Sequence, residues 1–506
     1  MEVIKKYKGQ IYFHLMLNLA CAAFITFASF SHYPLHDFRA YLFYGAHFLA
    51  IQWSVFGFLY FVSADKRFFT VFFPILFVLF SSIAFWVYVQ DIAISQGIVQ
   101  VSLETKPDIV FGLISWQFLL YFVLSVITSI ILVWQRRKLL VNAWKSPLLI
   151  LALIGIAIFF VTENYRTGSF SRRLPYNVFY ASTEYFQQND LVFRSVPASV
   201  KKTTDSLNVI LVLGESVRAD HLQLNGYIRQ TTPLLSARKN IITFPDAFTP
   251  LTYTGASVPQ IMTDATFSDS FDKPKYSLIS VLKQAGIRTS WIGNQTPEKS
   301  FEMFPKQASF SKILDPMHSE LSFRKDYDEK LLPVFDNVFS TKGNAFTAIH
   351  LMGSHWWYET RYPSAFRIFQ PVINSKNVTS NSPEQLINSY NNTILYMDYV
   401  VDKLIRKIEE KPSNTLVIYL SDHGEMLGEN NQWLHAQPGK GISNPGLFFW
   451  YSDGFGKKYP QLIKRLESIR LKHTELEFFF PTVIDLFGIK GIDNKKSLLH
   501  LEKNIN

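Results

Sequence analysis

Along the first third of the chain apolar residues run on almost without interruption, whereas later they come in short bursts set between polar segments. Five long runs stand out, over residues 11–31, 40–63, 68–89, 113–134 and 147–162, with the charges confined to the gaps between them. Each approaches the ~20 apolar residues that carry a helix across ~30 Å of hydrocarbon, the last being short. The pattern predicts five membrane-spanning helices, because buried helices of a globular core do not recur in this way with every charge held to the gaps. The first run is too long for a cleaved secretion signal and leads directly into further runs.

The gaps set an orientation. Lys5, Lys6 and Lys8 precede the first run, Lys66 and Arg67 separate the second from the third, and Arg136, Arg137, Lys138 and Lys145 separate the fourth from the fifth. The alternate gaps, 32–39 and 90–111, hold only Arg39 and Lys106. Positive charge marks the cytoplasmic side. The N-terminus is therefore expected inside, and everything after Thr162 outside. Residues 163–206 mix Arg172-Arg173-Leu174-Pro175 and Lys201-Lys202 with aromatics, and read as an amphipathic linker hugging the membrane.

From Asn208 the texture changes. Short continuous apolar runs at 208–214, 286–293, 345–352 and 415–420 predict strands buried on both faces, and 386–409 predicts a helix between them. Strands alternating with helices imply an α/β domain with a mostly parallel sheet. The expected division is thus a transmembrane part over 1–162, a linker over 163–206 and a soluble domain over 207–506.

Composition agrees with a two-part chain. Of 506 residues 48% are hydrophobic, 46 are Phe and only 18% are charged, which excludes disordered, collagenous and coiled-coil proteins. The single cysteine, Cys21, lies in the first apolar run, so neither an intramolecular disulfide nor a cysteine-based zinc site can form. The formal net charge of +10 suits anionic lipid or glycolipid. Its basic residues are dispersed and many fall in the cytoplasmic gaps, so no nucleic-acid partner is expected.

Candidate chemistry gathers where strands end, as it does in parallel sheets. The first strand runs into Gly214-Glu215-Ser216, the last into Ser421-Asp422-His423-Gly424-Glu425, and another into Gly353-Ser354-His355. Carboxylates and imidazoles converging on one rim make a divalent metal site, for which zinc fits best. The Gly/Pro loop Pro250-Leu-Thr-Tyr-Thr-Gly-Ala-Ser-Val-Pro259 offers Thr252, Thr254 and Ser257 as hydroxyl nucleophiles, and spacing alone does not choose among them.

Several runs taken together resemble a known family. They are Gly214-Glu-Ser-Val-Arg-Ala-Asp220 with Leu224-Asn-Gly-Tyr227, Thr254-Gly-Ala-Ser-Val-Pro259, His350-Leu-Met-Gly-Ser-His355, Tyr390-Asn-Asn-Thr-Ile-Leu-Tyr396, and Ser421-Asp-His-Gly-Glu425 with Leu434-His435. This set is similar to the bacterial inner-membrane phosphoethanolamine transferases of the alkaline phosphatase/sulfatase superfamily. The resemblance implies five spans and a periplasmic sulfatase-like domain. It also implies zinc held by Glu215, Asp422 and His423 with the Thr254 oxygen facing it, and Thr254 as nucleophile. His355 and His435 would then bind phosphate, assist proton transfer or hold a second zinc. Ser257 would be structural, in the turn opening the next helix. Phosphatidylethanolamine would be the donor and lipopolysaccharide the acceptor, with Glu104 and Thr105 near the donor headgroup.

The chain departs from the family in two respects. It lacks the periplasmic disulfides of members that modify lipid A, so an inner-core sugar such as heptose or Kdo stands beside lipid A as acceptor. Val101 occupies the place of a family Asn, although Thr105 matches. A true sulfatase requires a formylglycine motif, and Ser257-Val258-Pro259-Gln260-Ile261 lacks its Arg. A phosphoglycerol transferase and a non-catalytic lipopolysaccharide regulator are the alternatives.

Overall fold

The computed structural model describes residues 2–31, 38–90, 94, 98–99, 102–103, 115–140, 142–164, 170–171, 173–187, 191–269, 273–295, 297, 300–314, 326–374, 378 and 381–499. Contacts divide the chain into two units, one of residues 1–99 and 113–186 with 377–379, the other of 100–112, 187–376 and 380–506.

All five apolar runs are helical. They form α1 (Glu2–Phe24), α2 (Phe38–Ala64), α3 (Lys66–Gln90), α4 (Trp116–Lys138) and α5 (Leu148–Asn164), followed by α6 (Tyr176–Gln187). Among the described residues only Tyr41–Ala64, Lys66–Val89 and Trp116–Lys138 are long and apolar enough to cross a membrane by length and composition. By that measure three of the five expected spans are met. The start of α1 is lysine-rich and its middle carries Gln10, His14 and Asn18. At 17 residues α5 is about 25 Å long, short of ~30 Å.

The basic gaps meet at one end of this unit. Tyr7 Oη donates to Lys145 O at 2.7 Å, and the Arg136 guanidinium donates to Ser63 O and Ala64 O at 2.5 and 2.9 Å. Arg136 is buried and closes the C-terminal carbonyls of α2, where a cation is favoured. At the opposite end Tyr121 Oη donates to Phe24 O. Helices α2 and α5 touch backbone to backbone. A Cβ on Gly57 would lie 2.6 Å from Ala152 O, and one on Gly155 2.3 Å from Trp53 O. Small residues permit such close crossings between apolar helices.

The second unit is built on a seven-stranded sheet. Its strands are β1 (Asn208–Gly214), β2 (Ile241–Thr243), β3 (Arg288–Gly293), β4 (Phe310–Ile313), β5 (Ala345–His350), β6 (Thr415–Ser421) and β7 (Leu447–Tyr451), in the order β2-β7-β6-β1-β5-β3-β4. Only β7 runs against the rest. Every residue of β1 and β6 is buried, which is why both read as unbroken apolar runs. Between the strands lie α7 (Thr254–Ile261) and α8 (Pro383–Glu409), which begins in a capping box of Ser382 and Gln385. The register pairs Leu213 with both His350 and Leu420, so β5, β1 and β6 finish level and open one rim.

Candidate active site

The residues that follow β1 and β6 gather at that rim. Glu215 follows β1, Asp422 and His423 follow β6, and all three are fully buried. Ser216 adopts a left-handed backbone (φ 59°), an uncommon conformation for a non-glycine residue, and its hydroxyl donates to Glu215 Oε1 at 2.7 Å. The turn after β5 is tied by the buried Asp328 carboxylate, which accepts from the amides of Met352 and Gly353 at 2.8 and 3.0 Å. At Gly353 (φ 53°) a Cβ would stand 3.0 Å from the backbone nitrogen and oxygen of Glu215, so only glycine lets the turn close against it.

Thr254 is the first residue of α7, and its hydroxyl donates to Glu215 Oε2 at 2.7 Å. Gln295, beyond the end of β3, donates from Nε2 to that same oxygen and to Leu351 O, both at 3.0 Å. His423 Nδ1 lies 2.8 Å from Gly424 O and must donate to it, which leaves a lone pair on Nε2. That lone pair faces Glu215 Oε1 at 3.4 Å and Asp422 Oδ2 at 3.3 Å. Neither His423 Nε2 nor Asp422 Oδ2 has a hydrogen-bond partner among the described residues. Three buried lone-pair donors turned on one another repel unless a cation lies between them. Their separations match neighbouring donors of a tetrahedron with bonds of about 2.0–2.1 Å, so the residues present fit a zinc ion.

Charge balance fits the same arrangement. Burial pushes the Glu215 carboxyl up, but the imidazoles of His423, His355 and His435 outweigh it and hold the group below the usual carboxylate range. Burial raises Asp422 well above that range, with the Glu215 charge adding to it. Burial also lowers His423, with the Glu215 charge opposing it.

A second layer orients His435. Its Nδ1 lies 3.0 Å from Glu425 Oε2, while Tyr358 Oη donates to Glu425 Oε1 at 3.1 Å. Glu215, His423 and His435 each offer a ligand atom within 4.8 Å of the others. The His355 ring packs edge-on against His435, with centroids 5.3 Å apart. The structure thus brings Glu215, Thr254, His355, Asp422, His423 and His435 together. Of the other two hydroxyls, Thr252 has its carbonyl on the Ala436 amide, while Ser257 is buried in the turn that opens α7, its amide bonded to Tyr253 O. Glu104 and Thr105 lie outside the described residues.

Sequence reasoning missed Gln295 and Tyr358, and it singled out the run Tyr390–Tyr396 on α8 without giving it a role. Gln295 carries the signal that exposed Glu215, a polar residue just past a buried strand. On α8, Tyr390 Oη donates to Ser216 O and accepts from the Arg218 amide, and Asn391 bonds to His221 and Tyr227. Asn392 accepts from the amides of Ile368 and Phe369, and Thr393 donates to Ser354 Oγ. Four consecutive side chains therefore fasten the loops that follow β1 and β5.

Residues 207–489 match the family model described as Sulfatase, and residues 53–189 match the one described as Phosphoethanolamine transferase EptA/EptB. The chain belongs to the sulfatase family. Its likenesses are to phosphoethanolamine transferases. It is 31% identical over 294 residues to the phosphoethanolamine transferase EptA of Escherichia coli (strain K12), covering 56% of this chain and 53% of the relative. The match thus spans about half the length of that relative. With EptA of Salmonella typhimurium it is 28% identical over 446 residues, 80% of each chain. In structure it is similar to the integral membrane lipooligosaccharide phosphoethanolamine transferase A of Neisseria meningitidis. The TM-score is 0.81 at 23% identity, covering 97% of this chain and 98% of that one, which establishes the shared fold.

Proposed function

We propose that this chain is a zinc-dependent phosphoethanolamine transferase that moves phosphoethanolamine from phosphatidylethanolamine to a lipopolysaccharide acceptor, on an inner-core sugar or lipid A. One observation carries the reading: the Thr254 hydroxyl sits 2.7 Å from Glu215, beside the unpartnered Asp422 Oδ2 and His423 Nε2. We assign Glu215, Asp422 and His423 as zinc ligands, with the Thr254 oxygen facing the ion. Bound zinc would lower the pKa of that hydroxyl and neutralise charge on the phosphoryl oxygens.

Thr254 Oγ1, its rotamer fixed by Glu215 Oε2, passes its proton to that oxygen and attacks phosphorus in line. The phosphorus–oxygen bond to diacylglycerol breaks, and phosphoethanolamine stays esterified to Thr254. The leaving oxygen needs a proton. With Nδ1 of His435 committed to Glu425, we assign that delivery to Nε2, and His355 to the phosphate beside it. An acceptor hydroxyl or phosphate then gives its proton to the same imidazole and attacks phosphorus, and the freed threonine oxygen takes its proton back from Glu215.

Lipid donors and acceptors account for the apolar helices. We assign α1–α5 as five spans over 1–162, with a cytoplasmic N-terminus, an amphipathic linker over 163–206 and a periplasmic catalytic domain over 207–506. Convergence of the basic gaps at one end of the helical unit supports that orientation. Glu104 and Thr105 are assigned to the donor headgroup.

The test is transfer of labelled phosphoethanolamine by purified full-length protein to lipopolysaccharide. Thr254→Ala is expected to reduce transfer to background while the protein still folds, and chelation is expected to abolish it until Zn2+ is restored. Normal transfer by the alanine variant would refute the assignment.

A further inference from the structure

The helical unit contains a cavity of about 610 Å3 between α1, α2, α3, α5 and α6, within the size range of lipid and cofactor sites. Its inner wall is buried and apolar, with Cys21, Val55, Phe73, Phe77 and Phe80 each less than a tenth exposed. Its rim opens sideways between Leu76, Phe160 and Phe179, which are 42%, 61% and 57% exposed. Along α2 the wall runs from Val55 to Val62, about 10 Å of helix.

Polar atoms gather at one end. Thr26, fully buried, lines the cavity, and its hydroxyl has no partner among the described residues. Near it on α6, the Tyr176 hydroxyl meets Ser54 Oγ, and Tyr180 Oη donates to Glu163 Oε2 at 2.8 Å. The deep end, towards Val62 and Phe73, is hydrocarbon alone. Water has no partners there, and in a bilayer the apolar molecule at hand is lipid.

We propose that this cavity is a binding site for one acyl chain of a glycerophospholipid. The chain fills the channel towards Val62 and Phe73, and its ester carbonyl accepts the hydrogen bond of the Thr26 hydroxyl. Tyrosines at the mouth suit the level where hydrocarbon gives way to headgroup. The site reads chain and ester, so it does not depend on which headgroup is transferred and stands apart from the catalytic reading above.

The test uses full-length protein in nanodiscs containing phosphatidylethanolamine or phosphatidylglycerol with a diazirine in the acyl chain, photolysed and mapped by peptide mass spectrometry. Either lipid is expected to label the peptides holding Cys21, Val55 and Phe77. Cys21→Trp, which fills the channel, is expected to remove that labelling while Leu119 and Ile130 on the outward face of α4 are still labelled. Labelling confined to α4, labelling that depends on the headgroup, or labelling unchanged by Cys21→Trp would overturn the site. Should the tryptophan variant not fold, alkylation of the only thiol in unmodified protein decides. Delipidated protein is expected to react with N-ethylmaleimide at least ten-fold faster than protein resupplied with either lipid, and equal rates would overturn the proposal. Neither readout requires turnover, so the outcome is independent of whether Thr254 is the nucleophile.

Discussion

At the scale of single residues, the candidate site rests on which buried atoms are left without hydrogen-bond partners among the described residues. Glu215, Asp422 and His423 were legible in the sequence because each follows a buried strand, where a polar side chain has no structural reason to be. Gln295 follows one too. By donating to both Glu215 Oε2 and Leu351 O it fixes the carboxylate that holds Thr254. Gln295→Ala is expected to lower kcat about ten-fold, a loss of about 1.4 kcal/mol of positioning, with KM for the donor lipid nearly unchanged. Steady-state kinetics checks it.

Asp398 gives a pH-dependent prediction away from the site. It is fully buried and accepts from the amides of Leu234 and Leu235, both at 2.9 Å. Burial, with the Asp402 charge adding to it, outweighs those amides and raises its pKa to about 7. A carboxyl whose pKa is raised by folding favours the fold most when protonated. Its contribution is complete below the unfolded value near 4 and is lost as pH rises through about 7. Asp398→Asn keeps an acceptor and removes the titration. It should therefore flatten the fall in Tm between pH 5 and pH 8, measured by intrinsic fluorescence of the full-length protein.

At the scale of elements, periodicity and apolar runs located β1, β3, β5, β6 and α8 to within a few residues. They did not reveal β2, β4 or β7. β2 and β4 are edge strands of three and four residues, with too few positions to show a pattern. β7, Leu447-Phe-Phe-Trp-Tyr451, is a clear apolar run, but it follows the long polar loop of the site and turns against the parallel order. The run Tyr390–Tyr396 on α8 stood out in the sequence, but what it fastens was illegible for another reason. Tyr390 and Tyr358 lie far along the chain from Ser216 and Glu425, and no local pattern announces a contact made only by folding. In the helical unit the contact of α2 with α5 is the most constrained. Gly155→Val would drive a side chain into Trp53 O, so it is expected to lower Tm in detergent by several degrees, with a smaller loss for Gly155→Ala.

At the scale of the whole molecule, composition already separated an apolar helical part from an α/β part, and the contacts divide at 186–187 rather than at a boundary near 163. The shift has a physical cause. Helix α6 packs Tyr176 against Phe159 and Phe170 of the helical unit, so the first part of the expected linker belongs to that unit. The proposed function comes down to a single chemical claim, that Thr254 carries phosphoethanolamine between two lipids. The most direct test is peptide mass spectrometry of zinc-loaded, full-length protein incubated with phosphatidylethanolamine in the absence of acceptor. The account predicts an adduct of about 123 Da on the peptide containing Thr254, discharged when lipopolysaccharide is added. An unmodified Thr254 in folded, zinc-loaded protein, or the same adduct in Thr254→Ala, would contradict it.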